Sequence, residues 1–303
     1  MTVPAPSLGQ RLGLPVLFVV LWSTGFVGAK YGLPYAEPFT FLGLRLVVAA
    51  ALLAALALAM RSALPASRAE HRHAAVAGIL LHAGYLGGVF YGISLGIPAG
   101  VSAVIVSLQP VLTALLATRL LHERPSRRQW LGLVLGVVGV ALVVGPGIAA
   151  SPASEAPLPV AGLVSCLVAL ASGTAGTLYQ KRHGDDVPLV WGTSVQYAAA
   201  AALLLVIAVG TERMSIRWTG DFVLAFAWLV LVLSLGAVLL LLLLLRRGTA
   251  AGVSSLFYLV PPAVAVEAYL LFGEELTALS LIGIGITAAG VALVVLPPRR
   301  GGG

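Results

Sequence analysis

Apolar residues run along the chain in ten long blocks. Short polar, charged or Pro/Gly breaks separate them. The blocks fall at roughly 13–32, 37–60, 72–94, 99–121, 127–148, 158–180, 188–210, 222–245, 250–272 and 277–297. At 1.5 Å per residue, blocks of this length approach or match the ~30 Å hydrocarbon layer of a bilayer. In lipid a spanning segment must satisfy its own backbone polar groups, so the blocks predict helices. Most breaks are a few residues long, which predicts antiparallel hairpins of neighbouring helices. The longer breaks, 61–71, 149–157 and 211–221, cannot hold a soluble domain. The expected fold class is therefore an all-α membrane protein with ten transmembrane helices.

The pattern occurs twice. Residues 99–110 read AGVSAVIVSLQP and residues 251–262 read AGVSSLFYLVPP. Gly139-Val140-Ala141-Leu142-Val143-Val144 returns as Gly290-Val291-Ala292-Leu293-Val294-Val295. The expected units are a first five-helix repeat at 13–148 and a second at 158–297. Five is odd, so the second repeat enters the membrane from the opposite side and the two are inverted, as in many secondary transporters.

Charge supports this reading and sets an orientation. Of the 18 Lys and Arg residues, only Lys30, Arg213 and Arg217 fall on one side, and Arg45 lies inside a span. The other fourteen fall on the opposite side. The positive-inside rule then places both termini in the cytoplasm. Hydrophobic residues make up 59% of the chain and charged residues 10%, against ~25% charged in soluble domains. The net charge of +7 therefore reads as topology signals beside anionic lipid, not a nucleic-acid surface. Cys166 stands alone, which excludes an internal disulfide, and is read as inert packing. Only Arg11 precedes the first apolar run, which reads as a span and not a cleaved leader.

Two halves of five spans, the AGVSA…QP and AGVSS…PP helices, the LLHE and FGEE helix ends and the paired G-V-A-L-V-V helices together resemble the drug/metabolite transporter superfamily, EamA type. Leu21-Trp22-Ser23-Thr24-Gly25-Phe26 with Arg45 early in the second helix is similar as well. Within the superfamily the chain is most similar to YddG-type aromatic amino acid exporters. The resemblance implies the inverted-repeat fold, export of a small metabolite and residence in a bacterial inner membrane. The two halves differ at one point: Gln196 follows Pro188 by one residue more than Arg45 follows Pro38.

Polar groups deep in a span are costly unless they face a cavity or a partner. Counting along the helices places His82, Trp22, Ser23, Thr24, Gln109, Ser172, Thr174 and Tyr258 near mid-membrane, with Tyr85 and Tyr179 nearer opposite ends. These ten are the expected substrate-binding residues. Each has a plainer alternative. Ser and Thr can bond their own helix backbone, Trp22 can simply pack, Gln109 can satisfy groups freed by Pro110, and His82 can form an interhelical bond. Tyr91 counts as a fourth deep aromatic beside Trp22, Tyr85 and Tyr258; Trp130, Trp191 and Trp218 read as interface anchors. Arg45 and Glu267 lie at similar depths, so an ion pair or shared gating network is expected, with Lys30 on the same side. Pro110 and Pro261-Pro262 sit at matching mid-helix positions and are expected hinges. Gly132, Gly136, Gly139, Gly283, Gly285 and Gly290 predict close helix contact, within the chain or between two chains.

No phosphate-binding G-x-x-x-x-G-K-[ST] loop, H-E-x-x-H or G-x-S-x-G occurs. No cofactor, metal or catalytic residue is expected, and the chain is not read as an enzyme. The expected function is secondary transport of a small molecule by alternating access, amino acids and aromatic ones foremost. The alternatives are export of another metabolite class and a flippase for a lipid-linked substrate, which would need more carboxylates than Glu267. Expected partners are the substrate and membrane lipid, with no nucleic acid, in a monomer or homodimer.

Overall fold

The computed structural model describes residues 8–97, 102, 105–121, 125–149, 159–272 and 277–295. Ten helices account for nearly all of them, and no β-strand occurs among the described residues. They are α1 (Leu8–Gly32), α2 (Pro38–Ala59), α3 (Arg68–Ser94), α4 (Gln109–Leu120), α5 (Arg127–Ala149), α6 (Val160–His183), α7 (Leu189–Thr211), α8 (Gly220–Arg247), α9 (250–272) and α10 (Ala278–Val295). Five of them, α2, α3, α6, α7 and α8, are each long and apolar enough to cross a membrane. The chain is an all-α membrane protein of two inverted five-helix repeats.

Local chemistry fixes the helix starts. Pro38 opens α2, where its missing N–H costs nothing. Ser67 caps α3 by accepting from the Glu70 amide, and Glu70 reaches back to the Ala66 amide at 2.9 Å. Thr219, the residue equivalent to Ser67 in the second repeat, caps α8 in the same way through the Phe222 amide.

The packing obeys the repeat. Exchanging each helix for its partner five places on sends the packed pair α3–α6 onto α8–α1, α3–α7 onto α8–α2, and α4–α6 onto α9–α1. It returns α2–α7, α4–α9 and α5–α10 onto themselves. A pseudo-two-fold axis requires this correspondence. The predicted glycines make the α5–α10 seam. A Cβ on Gly283 would sit 2.7 Å from the Gly139 carbonyl oxygen, and one on Gly290 would sit 2.7 Å from that of Gly132. The close contact is therefore within the chain. Gly285 instead has nothing within 4 Å.

Both α3 and α8 carry a π-helical stretch, Ile79–Gly84 and Leu229–Ala237, at equivalent positions. Such widened turns leave the regular hydrogen-bond ladder and are frequent at functional sites. The α4 and α9 helices are interrupted just before their prolines. Ser107 and Leu108 form a turn ahead of Gln109-Pro110, and a 3₁₀ turn, Leu256–Leu259, precedes Val260-Pro261-Pro262.

Side-chain ties distinguish two ends. At the arginine-rich end Lys181 donates to the Leu245 carbonyl at 2.9 Å, Arg246 donates to the carbonyls of Gly184 and Val187, and Trp191 donates to that of Ser62. At the opposite end the connectors 33–37 and 212–217 interlock. Ala36 and Ile216 form an isolated antiparallel bridge, and Arg217 bonds the Pro34 and Tyr35 carbonyls and lies over the Tyr35 ring.

Candidate functional site

The site is built where α2, α3, α7 and α8 meet, at the two π-helical stretches. Arg45 on α2 is 1% exposed and His82 on α3 is 2% exposed. Arg45 Nε donates to Ser234 Oγ on α8 at 2.9 Å. His82 Nε2 lies 3.3 Å from Gln196 Oε1 on α7. The two contacts are one motif used twice. Ser234 is the α8 equivalent of His82, and Gln196 is the α7 counterpart of Arg45. The one-residue slip after Pro188 therefore does not break the correspondence.

Tyr197 ties the two bonds together. Its hydroxyl donates to the Ser234 carbonyl at 2.5 Å, and its ring meets the His82 ring edge-on with centroids 4.7 Å apart. Gln196 Nε2 in turn donates to Gln180 Oε1 on α6 at 3.1 Å. Gln196 also lines a narrow cleft of about 10 Å³ at the arginine-rich end, room for a single water, together with His73, Tyr179, Gln180, His183 and Arg246. A buried polar thread thus runs from Arg45 through Ser234, Tyr197, His82 and Gln196 to Gln180. At the opposite end a far larger cavity, about 640 Å³, is lined by Tyr35, Glu37, Pro38, Ser94, Ser215 and Arg217.

A second polar crossing joins α4 to α6. Gln109 donates to Thr177 Oγ1 at 3.1 Å and lies within 3.4 Å of the Gly173 carbonyl. Tyr85 and the Gln109 amide both occupy the space that a side chain on Gly173 would need, at 2.8 and 2.9 Å from its Cβ position. The same helix relationship in the other half, α9 to α1, carries Glu267 and Ser23, whose Oε1 and Oγ lie 2.5 Å apart.

The expected pairing of Arg45 with Glu267 is not formed. Arg45 is held by Ser234 and Glu267 by Ser23, because equal depth along two helices does not fix the direction in which each side chain leaves its helix. The side chain of Lys30 lies outside the described residues.

The remaining expected residues separate. Thr24 donates to the Leu21 carbonyl at 2.7 Å and accepts from Trp228 Nε1; Thr174 donates to the Leu170 carbonyl at 2.8 Å. Both take the local backbone option. Trp22 packs in a three-ring cluster with Phe18 and Phe257, at centroid distances of 5.3 to 5.5 Å. Ser172 abuts Gly84 in the α3 π-helical stretch. Tyr258 is fully buried on the 3₁₀ turn of α9, over Gly136, with its hydroxyl unpartnered. Tyr179 belongs to the arginine-rich end, where its hydroxyl is 2.7 Å from His73 Nδ1 and the His73 and His183 rings stack. Tyr91, read as deep, is 38% exposed and lies against Phe39. Cys166 is buried and free.

Sequence reading missed Ser234, Tyr197 and Gln180. Ser234 had a signal: it is the only hydroxyl in the leucine-rich block 222–245.

Two stretches of the sequence, 12–145 and 160–296, match the model of the EamA-like transporter family. The chain belongs to this family. It is a transporter and not an enzyme. It is 28% identical to the uncharacterized transporter YvbV of Bacillus subtilis (strain 168) over 289 residues, 93% of this chain and 90% of the relative. It is 25% identical over 278 residues to the uncharacterized inner membrane transporter YedA of Escherichia coli (strain K12), 91% of this chain and 88% of that one. A protein named probable amino-acid metabolite efflux pump, from Salmonella typhimurium (strain LT2), is 25% identical over 291 residues, 93% of each chain. A solved crystal structure superimposes with a TM-score of 0.79, covering 97% of this chain and all of that one at 21% identity, which bears on the fold alone. As an EamA-like transporter the chain acts in the membrane on a small molecule.

Proposed function

We propose that this EamA-like transporter moves amino acids across the bacterial inner membrane by alternating access, with both termini in the cytoplasm and with export as its direction. The observation that carries the reading is the pair of equivalent bridges, Arg45–Ser234 and His82–Gln196. Arg45 lies seven residues from the start of α2 and Gln196 seven from the start of α7, each about 10 Å in from opposite ends. Exchange of the two halves about the pseudo-two-fold axis swaps the bridges and swaps the ends. Rocking that loosens one bridge while keeping the other opens the centre to one side at a time.

What gathers at the centre supports the small-molecule class. A guanidinium, an imidazole, two carboxamides and a phenol are gathered with no second cation and no carboxylate bonded to them. Such a set suits a compact polar headgroup. Where α3 and α4 meet α6 at Gly173, Tyr85 supplies an aromatic ring and Gln109 a carboxamide. The Salmonella relative, an amino-acid metabolite efflux pump by name, points the same way. His82 and Gln109 are the residues assigned to substrate contact; Pro110 and Pro261-Pro262, beside the helix interruptions, are assigned as hinges.

The test is counterflow of a labelled amino acid panel in liposomes holding the purified protein. Saturable uptake of one class, lost in a folded His82→Ala variant, supports the reading. No uptake at several pH values and with counter-substrate inside overturns it.

A further inference from the structure

Two atoms of the central cluster lack a partner. Nη1 of Arg45 and Nδ1 of His82 are both buried, and neither makes a hydrogen bond. They are chemically opposite. The guanidinium nitrogen is a charged donor and cannot accept. The imidazole is set by its neighbours: Gln196 gives its amide N–H to Gln180, so its oxygen faces His82 and must receive the Nε2 proton. Nδ1 of the neutral ring is then an acceptor with nothing to accept.

The donor and the acceptor belong to one connected unit. Arg45 is bonded to Ser234, Tyr197 to the Ser234 carbonyl, and the His82 ring rests on Tyr197. A buried guanidinium ordinarily takes a carboxylate partner. Glu267, the carboxylate well inside a span, is instead held by Ser23. The cluster therefore keeps one anion-seeking donor and one proton acceptor vacant within one connected unit, both buried, where unmade hydrogen bonds are most costly.

We propose that Arg45 and His82 form a headgroup subsite for an α-amino acid: Arg45 Nη1 donates to the carboxylate, and His82 Nδ1 accepts an N–H from the neighbouring ammonium. This rests on the transport reading above and adds which part of the substrate each residue holds. A free acid satisfies only Arg45 and an amine satisfies only His82. An amino acid satisfies both, because its two functional groups are one carbon apart. Selectivity at this subsite is for the headgroup, and the substrate side chain is read elsewhere.

The test uses the full-length protein in liposomes. Counterflow of labelled L-phenylalanine is competed with L-phenylalanine, its amide, phenethylamine and 3-phenylpropionate. In the wild type the amide, the amine and the acid each compete at least about tenfold more weakly than the amino acid, the size of one charge-assisted hydrogen bond. Arg45→Gln abolishes the preference for the amino acid over its amide, Arg45→Lys keeps part of it, and His82→Phe abolishes the preference for the amino acid over 3-phenylpropionate. Equal competition by all four compounds in the wild type overturns the subsite, and that result needs no variant to fold. Uptake with unaltered preferences in folded Arg45→Gln also overturns it and leaves the transport reading standing. No uptake of, and no competition by, any amino acid overturns both.

Discussion

Ser23 on α1 and Glu267 on α9 meet with 2.5 Å between hydroxyl and carboxylate oxygens, while the second carboxylate oxygen has no partner. The Ser23 hydroxyl also lies 2.9 Å from the Val20 carbonyl, and its single proton serves one acceptor at a time. Removing it leaves a half-buried carboxylate with nothing bonded to it. Ser23→Ala is expected to cost about 1–3 kcal/mol, read as a lower unfolding temperature in detergent. Glu267→Gln keeps an acceptor for Ser23 and is expected to fold normally with altered gating. An unchanged transport rate and pH dependence in that variant would count against any gating part for Glu267.

Glu212, just past α7, holds the first turn of α2 from the side. Its two oxygens accept from the amides of Phe39 and Thr40, each at 2.7 Å, and from the Thr40 hydroxyl at 2.6 Å. Glu37 returns the favour by accepting from the Arg213 amide at 2.9 Å. These are charge-assisted caps on otherwise unsatisfied helix N–H groups. Glu212→Ala is expected to lower stability by about 1–3 kcal/mol and to speed hydrogen exchange at residues 39 and 40. Protection left unchanged at both amides would show that the cap contributes nothing.

The α5–α10 seam separates two glycines that look alike in sequence. A methyl on Gly290 would press on the Gly132 carbonyl and, at 2.9 Å, on the Gly136 amide nitrogen. Backbone cannot step aside as a flexible side chain can. Gly290→Ala is therefore expected to force the helices apart, with a loss of about 1–3 kcal/mol from overpacking. Gly285→Ala meets open space and is expected to be neutral or slightly stabilising. Equal effects in thermal unfolding would mean that the seam is looser than described.

The helices, the repeat and the small-residue seam were all legible in the sequence, because lipid permits only internally satisfied spans and a duplication keeps its spacing. The prolines fall just after the turn that precedes α4 and the 3₁₀ turn of α9. The π-helical stretches of α3 and α8 carried no such mark, since neither holds a proline, and they reorient the side chains that follow. His82 stood out in the sequence by its depth alone. Its companions were not, because depth says nothing about azimuth: the same limitation paired Arg45 with Glu267 when Arg45 faces α8. Tyr197 and Gln180 were hidden for a different reason. Each bonds to the neighbouring helix in the chain, Tyr197 to Ser234 and Gln180 to Gln196, and only the packing of α6, α7 and α8 shows which faces meet.

The polar residues of α6 divide by whether their groups are already spent. Thr174 bonds its own helix at Leu170, so Thr174→Val removes a local bond and is expected to leave uptake within about twofold of wild type, less than one hydrogen bond's worth. Its neighbour Gly173 has no side chain, yet the position is decisive. Tyr85 and Gln109 both use the space above it, and Gln109 crosses to Thr177 from there. Gly173→Ala places a methyl 2.8 Å from the Tyr85 ring and 2.9 Å from the Gln109 oxygen. The amide and ring must then move, and the α4–α6 crossing with them. Uptake is expected to fall by about tenfold or more, the cost of one lost buried hydrogen bond, while the protein still runs as a single species on gel filtration. Uptake unimpaired in Gly173→Ala, with Thr174→Val as the matched control, would remove Tyr85 and Gln109 from the substrate path.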